Sequence, residues 1–316
     1  MREGLFIKKN KARWEKIQSG RKGDADEMAT NFIQLVDDLA YAKTFYPSSR
    51  VTHYINALAS RIYLGIYQNR KENINRLSKF WKYDVPLTIY KHRRIILFSF
   101  LVFCTFYIVG FFSARQDDGF IRQVLGDGYV DLTEKNIEEG NPFGIYQSGN
   151  SFFSWIGIMI NNIMVSFVYF GKGIFLGIFS TTALAKESMR VGVFHYMFFA
   201  KGYGTAFILA VMIHGLLELT SIIIACAAGV IMGTSYLFPG TRTRLDAFRD
   251  GVKEGAKILI GLIPILVVAA FYEGFVTRHY KMPIALNIIL LSISAVFIAW
   301  YFVLYPKTLK RRSSVI

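Results

Sequence analysis

Five long apolar runs dominate the chain after residue 94, and each is long enough to form a membrane helix. Residues 95–112 contain no charge and correspond to about 27 Å of helix. The other runs approach or exceed the roughly 20 residues that span a bilayer: they cover 152–185, 204–233, 258–275 and 284–305. The pattern predicts an all-α, polytopic membrane protein with five or six membrane segments, one of them broken or re-entrant.

The amino-terminal part shows a different pattern, that of amphipathic helices. Apolar side chains recur every three or four residues over 24–46, 48–67 and 71–81. This spacing predicts two or three soluble helices before the first membrane segment. The chain is therefore divided into a basic helical region, residues 1–94, a transmembrane domain, residues 95–305, and a basic tail, residues 306–316.

Composition and charge agree with this division. Residues of the AVILMFWYC set make up 53% of the chain, and 19% are charged, against about 45–50% and about 25% in an average soluble domain. The net charge of +15 is uneven: residues 1–94 hold 19 basic and 9 acidic residues, whereas 113–150 hold 3 and 7. The alternation favours a positive-inside arrangement in a bacterial inner membrane over a nucleic-acid surface. We expect a cytoplasmic amino terminus and an exported acidic loop, residues 113–151.

The number of crossings stays open on this pattern. With the amino end inside, five crossings put the basic tail outside, whereas six return it to the inside. We expect a sixth crossing either from 204–233 folding as two half-helices or from a break at 171–173. The segment 186–201 carries charges around an apolar middle and is predicted to be an interfacial connection. The amino-terminal 22 residues contain no apolar run, so the first membrane helix is expected to act as the targeting signal.

Two polar residues inside the run 204–233 are the strongest candidates for chemistry. His214 and Glu218 are four residues apart and share one face of a helix. A carboxylate inside a membrane costs on the order of 2.5–3.5 kcal/mol, so it faces a partner, a cavity or a working site. Two interpretations remain: a proton-linked or substrate-binding site at a broken helix, and a His–Glu hydrogen bond, extended or not by Asn161, that fixes helix packing.

Further polar residues in apolar runs complete the candidate set. Asn161 and Asn162 are adjacent and point to different neighbours, which favours packing over substrate contact. Glu273 and Arg278 are five apart, so each is expected to meet another segment rather than its partner. One hypothesis places Glu273 in the same polar cluster as Glu218.

Catalytic and metal-binding motifs are weak in this sequence. The His-x-x-x-Glu spacing supplies two ligands, but a catalytic zinc needs three protein ligands, and the His-Glu-x-x-His signature is missing. We therefore predict no metal and no cofactor. The sequence contains no phosphate-binding glycine loop and no nucleophile elbow, which disfavours an ATPase or a soluble-type hydrolase.

Glycines inside the apolar runs are expected to let helices approach closely, within one chain or between copies in a homo-oligomer. The expected packing glycines are Gly173, Gly177, Gly215, Gly229 and Gly233.

Several segments carry a resemblance to a known family: 42–69, 80–86, 161–163, 273–277 and the His-Gly-x-x-Glu-Leu element at 214–219, which is the most specific part. Together they resemble the stage II sporulation protein M-like family of integral membrane proteins. The resemblance implies a non-enzymatic membrane protein that assembles with other envelope proteins. The family is named after a protein that helps to anchor a peptidoglycan-degrading complex during sporulation, a role that does not carry over directly, because most members come from organisms that do not sporulate.

Two functions follow as hypotheses. The first is a scaffold in the membrane, with the basic helical region and the acidic loop as docking surfaces. Its partners would be the bilayer and other membrane proteins; the resemblance suggests an RDD-type membrane protein and a MoxR-type AAA ATPase. The alternative is a transporter or lipid-translocating protein that uses His214 and Glu218 in a cavity.

Overall fold

A computed structural model describes the chain as two compact helical units, Met1–Arg76 and Leu77–Ile316. No strand occurs among the residues that the structure describes, and the all-α prediction is confirmed. Residues 77–94, grouped above with the amino-terminal region, belong to the second unit, because they pack into its core. The described residues are 2–19, 25–68, 76–147, 149–279 and 282–313.

The first unit contains three helices around its own core. The additional helix α1 was not predicted, because its sequence is polar and basic, yet its Phe6 and Trp14 are buried. The indole of Trp14 donates a hydrogen bond to Asp38 at 2.8 Å. Ser49 caps α3 by accepting the Val51 N–H at 3.1 Å, as its position before the apolar pattern suggests. The bounds are α1 Glu3–Ser19, α2 Ala25–Phe45 and α3 Arg50–Gln68.

The segment before the first membrane helix packs into the second unit. The helix predicted over 71–81 includes residues 71–75, which lie outside the described residues. Its described part continues through a π-helical turn into another helix. Pro86 lies in the first turn of that helix, where no backbone N–H is needed. Trp81 donates to the Gly261 carbonyl at 3.2 Å, and Val85 is buried beside Gly261. The elements are α4 Arg76–Lys79, a π-helical turn Phe80–Asp84 and α5 Val85–Lys91.

Among the residues that the structure describes, five stretches of helix are long and apolar enough to cross a membrane: Arg93–Gln116, Ser151–Ile174, Gly204–Leu237, Arg244–His279 and Ile284–Arg312. They confirm the prediction of a polytopic helical membrane protein. The helices of this part are α6 Arg93–Gln116, α7 Asp118–Leu125, α8 Asp127–Glu138, α9 Ser151–Gly171, α10 Ile178–Ala200, α11 Gly204–Leu237, α12 Arg244–Phe271, α13 Ile284–Ile298 and α14 Tyr305–Ser313. Short π and 3₁₀ turns interrupt them at Gly144–Gln147, Lys172–Ile174, Tyr272–Val276, Thr277–His279 and Ala299–Leu304.

Helix α10 lies alongside α6, and it contains residues 186–200, for which an interfacial connection was predicted. A β-carbon on Gly192 would overlap the Tyr107 carbonyl, and one on Gly110 would overlap the Met189 carbonyl. Such backbone contact makes α10 a neighbour of α6 at the same depth. With 23 residues, α10 is about 34 Å long, enough for a crossing. Its charged residues at 186, 187 and 190 lower its mean hydropathy, so a hydropathy criterion does not select it as a membrane helix.

The break at 171–173 is the turn that precedes this additional crossing. A 3₁₀ turn and a left-handed Gly177 (φ 78°) reverse the chain between α9 and α10. The alternative source, two half-helices over 204–233, is wrong, because α11 is one continuous helix. In the described part of the chain six helices therefore run from one end of this domain to the other: α6, α9, α10, α11, α12 and α13. All but α10 belong to the five stretches that are long and apolar enough to cross a membrane.

The two ends of the domain, between which the six helices run, differ in their chemistry. The basic end holds the start of α6 and the end of α13; its cations include Arg94, Lys172, Arg242 and Lys307. Ile95 packs there against the core cluster that contains Ile231 of α11. The acidic end is covered by residues 117–150, the acidic cap, which contains α7 and α8. At that end Ala114 of α6 lies in one cluster with Met197 of α10, and Phe198 packs with Phe207 of α11.

Helix α11 is the centre of the domain, and its basic half is enclosed on all faces. Every residue from Ser221 to Gly233 is buried, as expected for a helix that is apolar all round. β-Carbons on Gly229 and Gly233 would overlap the α9–α10 turn or its flanks: the one on Gly233 would meet the backbone of Gly173 and Gly177. The basic half is thus packed backbone against backbone.

Candidate functional site

The site is built from the acidic half of α11 and from the turn that follows α12. His214 and Glu218 lie ten and fourteen residues into α11, about 15 and 21 Å from its first residue. Glu273 comes from the π-helical turn Tyr272–Val276. One ligand-type atom from each of the three side chains lies within 4.8 Å of the others. The structure therefore brings together Glu218 and Glu273, as one hypothesis placed them.

Thr277 orients the His214 ring. His214 is 4% exposed, and its Nδ1 lies 2.9 Å from the Thr277 hydroxyl, which lies 3.4 Å from the Ala210 carbonyl. The carbonyl can only accept, so the hydroxyl donates a hydrogen bond to it and accepts one from Nδ1–H. Nε2 then carries a lone pair, and it has no hydrogen-bond partner among the described residues.

The two carboxylates have no basic partner. Both are half-buried, and neither forms a hydrogen bond or ion pair with any residue that the structure describes. Arg278, which was expected to meet another segment, donates to the carbonyls of Gln147 and Gly149 at 2.6 and 2.7 Å. Two acidic groups beside an imidazole, without a cation, make this an electrostatically incomplete cluster.

The two asparagines lie on α9, and neither bonds to the cluster. Asn161 is exposed, and its amide donates to Asn162 at 3.4 Å. Asn162 is 6% exposed, and its Nδ2 has no partner among the described residues. The hydrogen-bond extension from His214 and Glu218 to Asn161 is therefore not present in this structure.

A cavity of about 530 Å³ joins Glu273 to the underside of the acidic cap. The Tyr146 ring lies 5.8 Å from the His214 ring, centroid to centroid. Burial raises the pKa of Tyr129 to about 12 and that of Tyr146 well above its usual value, so both hydroxyls keep their protons at neutral pH. No sequence pattern singled out these tyrosines, which lie in the acidic loop. The lining residues are Tyr129, Ile145, Tyr146, Ser154, Gly157, Ile158, Glu273 and Gly274.

Gly215 lies within the site helix but makes no close helix approach. A β-carbon there would meet only the Met212 side chain, at 3.5 Å. It differs in this from Gly173, Gly177, Gly229 and Gly233, which form the tight contacts of the basic half.

Comparison with known proteins places this site in a family. The family model described as stage II sporulation protein M matches residues 99–278, which include His214, Glu218, Glu273 and Thr277. A second model, described as a domain of unknown function, matches residues 4–68 in the first unit. An uncharacterized protein of Methanocaldococcus jannaschii is 27% identical over 190 residues, 59% of this chain and 83% of the relative. No solved structure matches. Since the first model covers more than half of its length, the chain belongs to the stage II sporulation protein M family.

Proposed function

We propose that the chain is a non-enzymatic scaffold of the cytoplasmic membrane, an assembly partner for other membrane proteins. The observation that supports this most is the closed basic half of the membrane domain. Alternating access needs one group of helices to rock against another around a central site. Here such motion would have to separate α11 from the α9–α10 turn, where Gly233 meets the backbone of Gly177.

Two polar parts of the chain are suited to docking. The first unit has its own core and its own family match, residues 4–68, so it is a separate module. The acidic cap presents exposed carboxylates, among them Asp118, Glu138 and Glu139. By the positive-inside rule the basic end faces the cytoplasm and the acidic cap faces outward. Family resemblance suggests an RDD-type membrane protein and a MoxR-type AAA ATPase as partners.

One observation favours the alternative, a transporter. Glu218 and Glu273 carry no partner, and Glu273 lines a cavity. Unpaired acidic groups of this kind occur in proton relays and ion pathways. A transporter would use the cluster from both ends of the domain, whereas a scaffold would use it from one end or only for packing.

Glu218→Gln in the full chain separates the two functions. The substitution keeps the shape and removes the charge. The scaffold predicts that the variant co-purifies with the RDD-type protein and the ATPase as the wild type does, and that neither chain gives pH-dependent flux in liposomes. Wild-type flux that Glu218→Gln abolishes would contradict the scaffold. The matched control is Glu254→Gln, a carboxylate at the basic end beside Lys91 and His92.

The scaffold proposal also predicts that co-purification of a partner depends on one of the two docking surfaces. Charge reversal at Glu138 and Glu139 leaves the membrane domain untouched and should weaken co-purification of a partner bound to the acidic cap. Substitution of surface residues in the first unit tests the other surface in the same way. Failure of both partners to co-purify with the wild type under native conditions would contradict the proposed partnership.

A further inference from the structure

The polar cluster has the ligand set of a metal site. Spacing along the sequence supplied two ligands, His214 and Glu218, and the π-helical turn after α12 supplies the third, Glu273. We propose that these three side chains bind one divalent transition-metal ion, for which Zn²⁺ is the best match. This inference is independent of the scaffold function.

The distances fit a site that closes slightly around an ion. The three ligand atoms lie within 4.8 Å of one another. In tetrahedral zinc sites the bonds are about 2.1 Å, which puts the ligands about 3.4 Å apart. A closure of about 1.4 Å lies within the reach of rotations in two long, half-buried glutamate side chains. The π turn that presents Glu273 is a feature that recurs at functional sites in helices.

The imidazole is prepared to bind a cation. The Thr277 hydroxyl accepts a hydrogen bond from Nδ1–H, so Nε2 offers a lone pair. His214 as a whole is only 4% exposed. Metal-bound histidines usually donate their other N–H to an oxygen in this way, which fixes the tautomer and the ring orientation. Thr277 is thus a positioning residue for the metal ligand.

A divalent ion would balance the charge of the ionised cluster. With both carboxyl groups ionised and the imidazole neutral, the cluster carries −2, and no basic side chain among the described residues pairs with it. Arg278 bonds to Gln147 and Gly149, and Arg190 pairs with Glu187 at 3.7 Å. A divalent cation would make the site neutral within the membrane, where net charge is costly.

Ligand type selects the ion. One nitrogen and two oxygens suit Zn²⁺, Fe²⁺ or Mn²⁺, whereas Cu⁺ prefers sulfur and Ca²⁺ prefers six or more oxygens. Three protein ligands leave at least one open position for water. The cavity beside Glu273 supplies access from the acidic end, and the Tyr146 ring, which lines this cavity, lies 5.8 Å from the His214 ring, centroid to centroid.

Equilibrium dialysis of the full chain in detergent against Zn²⁺, followed by elemental analysis, tests the site. We expect one zinc ion per chain in the wild type. His214→Ala, Glu218→Gln and Glu273→Gln should each weaken binding by at least about tenfold. Glu254→Gln is the matched control, because His92 and Glu254 form another His–carboxylate contact, at the basic end and with one carboxylate only; it should bind zinc as the wild type does.

Two results would overturn the proposal. One is a wild-type chain that takes up no stoichiometric zinc, iron or manganese while folded, which would leave protonated carboxylates as the state of the cluster. The other is metal content that the three ligand variants do not change, which would indicate an adventitious ion. Should a variant fail to fold, X-ray absorption of the zinc-loaded wild type decides: one imidazole with oxygen ligands supports the site, and sulfur or several imidazoles contradict it.

Discussion

At the scale of single residues, the site shows what spacing can and cannot predict. His214 and Glu218 were found because helical geometry puts residues four apart on one face. Glu273 was placed with them only as one hypothesis, since the sequence does not say which helices are neighbours. Thr277 was not selected, because its role depends on the hydrogen bond to Nδ1 of His214.

The positioning role of Thr277 gives a residue-scale prediction. Thr277→Val keeps the size of the side chain and removes the acceptor for the Nδ1 proton. We expect zinc to bind about 10–100-fold more weakly, as for other substitutions of residues that orient metal ligands. Isothermal titration calorimetry of the purified Thr277→Val chain measures its zinc affinity. The variant should still bind zinc fully at saturating concentrations.

The control for this prediction lies on α11. Ser221 is buried and donates to the Leu217 carbonyl of its own helix at 2.8 Å. Ser221→Ala removes a hydroxyl that is buried like that of Thr277 but is not bonded to the cluster, so the zinc affinity should stay as in the wild type. Equal affinities for Thr277→Val and the wild type would show that Thr277 does not orient the ring.

At the scale of helices, small residues mark the contacts, but only the structure shows their partners. The spacing of Gly173 with Gly177 and of Gly229 with Gly233 indicated packing, and these pairs meet each other in the basic half. Gly192 was not selected, although it makes an equally close approach to α6. Its helix was taken for a surface connection, so no partner was sought.

This contrast predicts different effects of the same substitution on one helix. Gly233→Ala puts a β-carbon into the backbone of Gly173 and Gly177, and overpacking of this kind costs about 1–3 kcal/mol or more. Gly215→Ala meets only Met212 at 3.5 Å and gains the higher helix propensity of alanine, up to about 1 kcal/mol. Thermal unfolding in detergent should therefore fall for Gly233→Ala and stay level or rise for Gly215→Ala. Equal loss in both would refute the close packing of the basic half.

At the scale of the whole molecule, charge and hydropathy predicted the architecture except for one helix. The apolar runs identified α6, α9, α11, α12 and α13, whose apolar surface faces lipid or the core. Helix α10 escaped because it carries Lys186, Glu187 and Arg190, which a hydropathy window counts against it. Parity left five or six crossings open, and a sixth would return the basic tail to the side of Arg94. The additional helix, α10, is held by backbone contact with α6, which a sequence pattern does not display.

The central claim is that the polar cluster opens to the acidic end alone. It rests on the closed packing of the basic half and on the six helices that run between the two ends of the domain. Accessibility of single cysteines to a membrane-impermeant maleimide, in vesicles of each sidedness, tests this most directly. In a chain with Cys104 and Cys226 replaced by alanine, the account predicts that Lys201→Cys and the cavity-lining Ile158→Cys react only from the side of the acidic cap. Lys172→Cys should react only from the opposite side. Labelling of Ile158→Cys from both sides would indicate alternating access and contradict the scaffold, and labelling of positions 172 and 201 from one side would contradict the crossing by α10.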